Sequence, residues 1–204
     1  MSKTKVVACF AAVVCLFAVL GCSKLTELAN KAANSANTSP PPEKAWTSQP
    51  LANTDITVEL PGTAKDQSPQ LPEAYKAFFS ALHIYSYDSK DFQSSATEFV
   101  STGKKKFEIK DLADKSMAAM KNQLSDLTYT TDVRSPTNAH LSGSFSKASK
   151  SYDVTGCVVY KKDAKPEKVW AIIALYPKDN ADGKATAGRI IGSASFKDST
   201  ETCK

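Results

Sequence analysis

Two histidines, His83 and His140, are all the imidazole in the 204 residues. Neither has a cysteine or carboxylate at ligand spacing on its own element, so the sequence offers no metal site and implies no cofactor. A Gly-x-Ser-x-Gly elbow is missing, and so is any glycine-rich phosphate loop. With no nucleophile–base pair to assemble, the chain reads as a non-enzyme with no catalytic residue. Lys178 to Gly183 has the outline of a calcium loop, but Lys178 holds the first ligand position and Arg189 the twelfth, where carboxylates are required. Charge of one sign is also scarce. The formal net charge of +5 falls to about +3 without Lys3 and Lys5, too little to argue for nucleic acid. Lys104-Lys105-Lys106 is the only tight cluster and reads as a solvated turn. The longest apolar run, Val6 to Leu20, is roughly 15 residues, short of the about 20 that cross a bilayer.

What is present begins with that run. Lys3 and Lys5 precede it, and Val19-Leu20-Gly21-Cys22 follows it. A charged start, a short apolar stretch and a small residue at the end make a secretory signal. Cys22 directly after Gly21 resembles the lipobox of bacterial lipoproteins, in which the thiol is acylated, by palmitate-type chains among others, and becomes the mature N-terminus. An ordinary signal with Cys22 left as a plain thiol is the alternative, and an uncleaved anchor a further one. The resemblance implies a membrane partner through Cys22, since two or three acyl chains at about 0.8 kcal/mol per buried CH2 anchor stably. It also implies a cell-envelope location. Ser23, where an Asp would favour inner-membrane retention, leans towards the outer membrane, facing the periplasm or the cell surface.

The five cysteines then sort by position. Cys9 and Cys15 fall in the signal and Cys22 is the lipid site. Cys157 and Cys203 remain as an even pair in an oxidising compartment, where disulfides persist. Bridged, they would close a loop of about 45 residues, worth about 2–4 kcal/mol in the chain-entropy model. The alternative is one buried thiol and one in the tail.

Three regions follow: a signal over 1–21, a tether over 22–44 and one globular domain over 45–204. The tether is rich in Ala, Asn and Lys and ends in Pro40-Pro41-Pro42, a polyproline II spacer. The domain opens near Trp46. Ile56, Val58 and Leu60 alternate on one face of a strand ended by Pro61-Gly62. Thr63 to Leu71 reads as a loop. Residues 72–82 fit either a helix with Pro72 at its first position or a strand. Leu82 to Tyr87 is a strand that pairs back, through a turn at 88–91, with Phe92 to Val100. Asp111 caps a helix to about Leu124, with Leu112, Met117, Met120 and Leu124 on one side. Four strands then form a meander: Leu127 to Arg134, Ala139 to Ser146, Tyr152 to Lys161 and Val169 to Tyr176. Asp179 to Gly183 breaks the chain before a helix from about Lys184 to Phe196.

Short connections imply antiparallel pairing, and the element order implies an α+β fold, an antiparallel β-sheet flanked by helices. Three stretches carry a further resemblance: Ile56 to Gly62, the hairpin of Tyr152–Tyr160 with Val169–Tyr176, and Arg189 to Phe196. On these the domain resembles the PsbP-like family of α/β/α sandwich proteins. That resemblance implies a protein that binds or assembles with other proteins and shares no catalytic residues.

Two functions follow. The first is a membrane-anchored, non-catalytic protein-binding or assembly module with an envelope protein as partner. The second is a periplasmic small-molecule carrier or sensor with a cleft between sheet and helix. Tyr85 and Tyr87, if they share the solvent face with His83, form a recognition surface; the alternative is that a helix packs on that side. A flat exposed aromatic patch would mark the module, and a deep apolar cavity the carrier.

Overall fold

The computed structural model describes residues 45–71, 73–89, 92–124, 126–147 and 149–203. The signal, Cys22 and the tether lie outside these residues. In chain order the strands are β1 (Thr47–Pro50), β2 (Ile56–Leu60), β3 (Lys65–Asp66), β4 (Phe79–Ser89), β5 (Phe92–Ser101), β6 (Thr128–Ser135), β7 (Asn138–Lys147), β8 (Lys150–Lys161), β9 (Lys168–Pro177) and β10 (Ser195–Phe196). Helix α1 (Ile109–Gln123) sits between β5 and β6, and α2 (Ala181–Ser193) between β9 and β10. The fold class is α+β, dominated by antiparallel sheet.

Strands β8 and β9 are apolar on both sides because both sides are covered. The seven-stranded sheet runs β3-β4-β5-β9-β8-β7-β6, with every neighbouring pair antiparallel. Val154, Val158, Tyr160, Val169, Ala171 and Ile173 point to one face and pack with Leu112, Ala113, Met117 and Met120 of α1. Cys157, Val159, Trp170, Ile172 and Ala174 point to the other, with Ile190 and Ile191 of α2 and Ile56, Val58 and Leu60 of β2. That second layer includes a three-stranded sheet, β1-β2-β10. Gly62 fits where β2 leaves the layer because a Cβ there would lie 2.7 Å from the Tyr87 ring.

Four expectations are corrected. Helix α1 starts at Ile109, with Glu108 at its N-cap and no side-chain cap. Buried Ile109 draws the first turn into the core, while Asp111 lies in that turn, 3.2 Å from Lys115. Helix α2 begins three residues before Lys184, because Asn180 Oδ1 accepts the Gly183 N–H at 2.8 Å and caps it. It also ends early: Ser195 and Phe196 are strand, paired with Thr57 and Ile56. In the ambiguous 72–82 segment, a short 3-10 helix covers Glu73–Tyr75 and β4 starts at Phe79. The expected loop over 63–71 contains β3, and β1 precedes the first expected strand.

Candidate functional site

Successive side chains of a strand point to opposite faces, so His83, Tyr85 and Tyr87 do lie on one side of β4. That side is not the solvent side. Tyr85 and Tyr87 are each 8 % exposed and pack in the layer with β2 and α2. The Tyr85 hydroxyl donates to the Ala52 carbonyl at 2.8 Å and lies 3.3 Å from Asp66 Oδ2. Burial, with the Asp66 carboxylate beside it, pushes the Tyr85 phenol up. Two hydrogen bonds from Ser68, side chain then backbone, hold Asp66 below its ordinary value. The exposed recognition surface expected at these tyrosines is therefore corrected: two of its three members are core. His83 is half-buried, opposite Glu98.

Cys157 and Cys203 form a disulfide, their Cα atoms 5.6 Å apart. It draws the C-terminal tail across the ends of β7 and β8. The tail is also tied there by Asn138, whose Nδ2 donates to the Thr202 carbonyl at 2.5 Å, and by Thr137, which donates to Glu201. His140 lies opposite Cys157. Of the three lysines, Lys104 and Lys106 are exposed and Lys105 is half-buried, 5.9 Å from the Phe78 ring centre. Its burial lowers its ammonium, as does nearby Lys115.

Sequence reasoning missed a buried charge network. Glu98 is 1 % exposed. Its Oε2 accepts from the Trp170 indole at 2.7 Å and from the Asp55 backbone N–H at 2.8 Å, and Lys168 Nζ lies 3.5 Å from Oε1. Lys168 also bonds Asp55 at 2.5 Å. The signal for it was a lone carboxylate in a strand, next to Phe99 and Val100. Its partners are separated from it by tens of residues, so no local motif could supply them.

A second missed feature is polar and exposed. On the α2 side of the sheet, α2 packs over β8 and β9. Further out, β6 and β7 present Thr128, Thr130 and Ser142 to solvent, with Ser144 and Thr155 half-buried beside them. Thr130 and Ser142 hydroxyls are 2.7 Å apart, and those of Thr128 and Ser144 are 3.3 Å apart. Thr155 lies opposite Ser142, and Asp132 opposite His140, on the same face. The result is a flat ladder of hydroxyls bounded by Asp132 and His140. Each hydroxyl can both donate and accept.

Neither mark of the two expected functions takes the expected form. The space between sheet and α2, lined by Leu51, Val58, Tyr85, Tyr87 and Ile190, is about 10 Å³, room for one water at most. The large depression, about 960 Å³, is open and polar, between Ser149–Ser151 and the head of α2. Val133 is the one large apolar side chain exposed among the described residues. Among those residues no group of three or more His, Cys, Asp or Glu is placed to hold a metal, and no helix is long and apolar enough to cross a membrane.

No protein-family model and no curated protein matches the chain. Among solved structures it is similar to LpqN of Mycobacterium tuberculosis, a protein involved in cell envelope biogenesis. The two are 16 % identical, with a TM-score of 0.40 over 74 % of this chain and 91 % of that one.

Proposed function

We propose that this protein is a lipid-anchored, non-catalytic binding module of the cell envelope, held by Cys22 at the outer membrane and docking an envelope protein on the hydroxyl ladder of β6–β8. The observation that carries the binding half is the ladder itself. A seven-stranded sheet with a core on each face leaves its last strands uncovered on one side, and that side is polar. Side chains fixed on paired strands lose little freedom when a partner docks, which favours binding. The anchoring half rests on Lys3, Lys5, the apolar run and Gly21-Cys22. A PsbP-like kinship belongs to the same reading, supported by strands buried on both faces between α1 and the α2 layer.

One experiment addresses both halves. The full-length protein is cross-linked in membranes and its partner recovered, comparing wild type with Thr130→Lys and Ser142→Lys. Both sites are exposed, so the variants keep the fold, and each should lower capture about ten-fold, the equivalent of about 1.4 kcal/mol. Cys22→Ser should leave the membrane fraction, and the intact mass of wild type should carry acyl chains on Cys22. Equal capture by wild type and ladder variants would sink the docking face; an unmodified Cys22 would sink the anchor.

A further inference from the structure

Strand β6 ends the seven-stranded sheet, and among the described residues no strand pairs with its outer edge. The other end of the sheet is closed differently. There two-residue β3 pairs with β4, Gln67 N–H donates to the Ile84 carbonyl at 2.8 Å, and Ile84 N–H donates to Ser68 Oγ at 3.0 Å. An open edge offers a row of N–H and C=O groups to another strand. On this edge stands Val133, 43 % exposed. On either side of it are Asp132 and Arg134, both exposed, with carboxylate and guanidinium 2.8 Å apart.

We propose that β6 pairs antiparallel with β6 of a second copy of this chain, about a two-fold axis through Val133. An axis that continues one sheet into another runs perpendicular to both and keeps each face on its own side. Opposed residues then share a face, so the axis must pass through a residue and not between two. Through Asp132 it would set carboxylate against carboxylate, and through Arg134 guanidinium against guanidinium, both unfavourable. Through Thr131 it would set Asp132 against Thr130 and form no ion pair. Through Val133 it opposes the two valines and sets each Asp132 against Arg134 of the second copy. The register shift between Val133 and Ser135 leaves Arg134 outside the β6–β7 pairing, and its contact with Asp132 shows that the two side chains reach the same side.

The charges choose the partner and the register more than they supply the affinity. Exposed ion pairs contribute little each, and the two ion pairs within the strands, one per copy, are exchanged for two between copies. Edge charges ordinarily repel a strand that does not match them. Here the matching strand is the chain's own, because opposite charges flank Val133 symmetrically.

The test uses full-length protein carrying Val133→Cys, with Thr128→Cys at the far end of β6 as control. Under mild oxidation Val133→Cys should give a disulfide-linked dimer on non-reducing electrophoresis and Thr128→Cys should not. In the Val133→Cys background, Asp132→Arg or Arg134→Asp should each slow cross-linking about ten-fold, about 1.4 kcal/mol. Mixing those two variants should restore it, because each then meets its complement. If a charge variant lets Cys157 and Cys203 be alkylated, Asp132→Asn and Arg134→Gln replace the pair, and each should slow cross-linking less. Cross-linking no faster at 133 than at 128, insensitivity to the charge changes, or no restoration on mixing would each overturn the proposal. The readout is a cross-link between two copies of the chain and not the capture of an envelope protein, so its failure and that of the docking face are told apart.

Discussion

Tyr160 lies inside the α1 core, 3 % exposed, with its hydroxyl donating to Glu167 Oε2 at 2.6 Å. Burial first, then the hydrogen bond to Glu167 and that carboxylate's charge, push its phenol up to about 12. The folded value exceeds the unfolded one, so the folded chain holds this proton more tightly. Its contribution is complete below about pH 10 and is lost as the pH rises through about 12. Tyr160→Phe keeps the ring contact with Phe107 but removes the titration. Urea unfolding followed from pH 8 to 12 should show a shallower alkaline loss in the variant than in wild type; parallel curves would contradict this. Residue by residue the sequence was uneven. An alternating Tyr152–Tyr160 announced a strand, but nothing in it announced that Tyr160 would meet Glu167 across a turn.

Among the elements, the tail shows what a cross-link holds. The last residues before Lys204 form no helix and only the short β10, yet Cys203 is 4 % exposed. Besides the disulfide, it is held by the bonds of Glu201 and Thr202 to Thr137 and Asn138. With the cysteines 46 positions apart in sequence, the chain-entropy model puts the bridge at about 4 kcal/mol. Cys157→Ser with Cys203→Ser should lower the free energy of urea unfolding by that order and open the tail to carboxypeptidase. A tail equally resistant without the bridge would show that the polar ties suffice. The even pair and the export signal made this bridge an expectation. The end of α2 was not legible in the same way. Gly188 to Phe196 has helical spacing, and it is β2, far off in sequence, that recruits Ser195 and Phe196 as strand and sets Phe196 on Trp170, ring centres 4.7 Å apart.

At the scale of the molecule, Glu98 joins the two sheets. It sits on β5 of the large sheet, takes the Trp170 indole from β9, and takes the Asp55 N–H at the head of β2 in the small one. Removing Glu98 leaves the buried Trp170 indole and the Asp55 N–H without their acceptor, at about 1–3 kcal/mol for each such group. In Glu98→Ala the loosening should be local to the α2 layer. Amide hydrogen exchange should quicken at β1, β2 and β10 while β6 and β7 keep their protection, and a uniform change across both sheets would refute this role. The Lys168–Asp55 bond remains in that variant and keeps the head of β2 near β9.

From sequence alone came the features that local spacing controls. Strand patterning and turn signals located β5 to β9 to within two residues, while β4 starts three residues before its expected span and β3 was read as loop. Turn residues made them antiparallel, and apolar positions three and four apart located α1. The expectation of a signal and the even cysteine pair depend on composition and order, which folding does not alter. Tertiary structure decided which face of each strand is covered and by what. Alternation shows that Tyr85 and Tyr87 share a side, but their burial depends on β2 and α2 arriving there from both directions in the chain. The same holds in reverse for Thr128, Thr130 and Ser142, left in the open because the second layer stops at β8. Glu98 could be buried only because Lys168, Trp170 and Asp55 converge on it. Convergence is a property of the packed chain, and no window of sequence contains it.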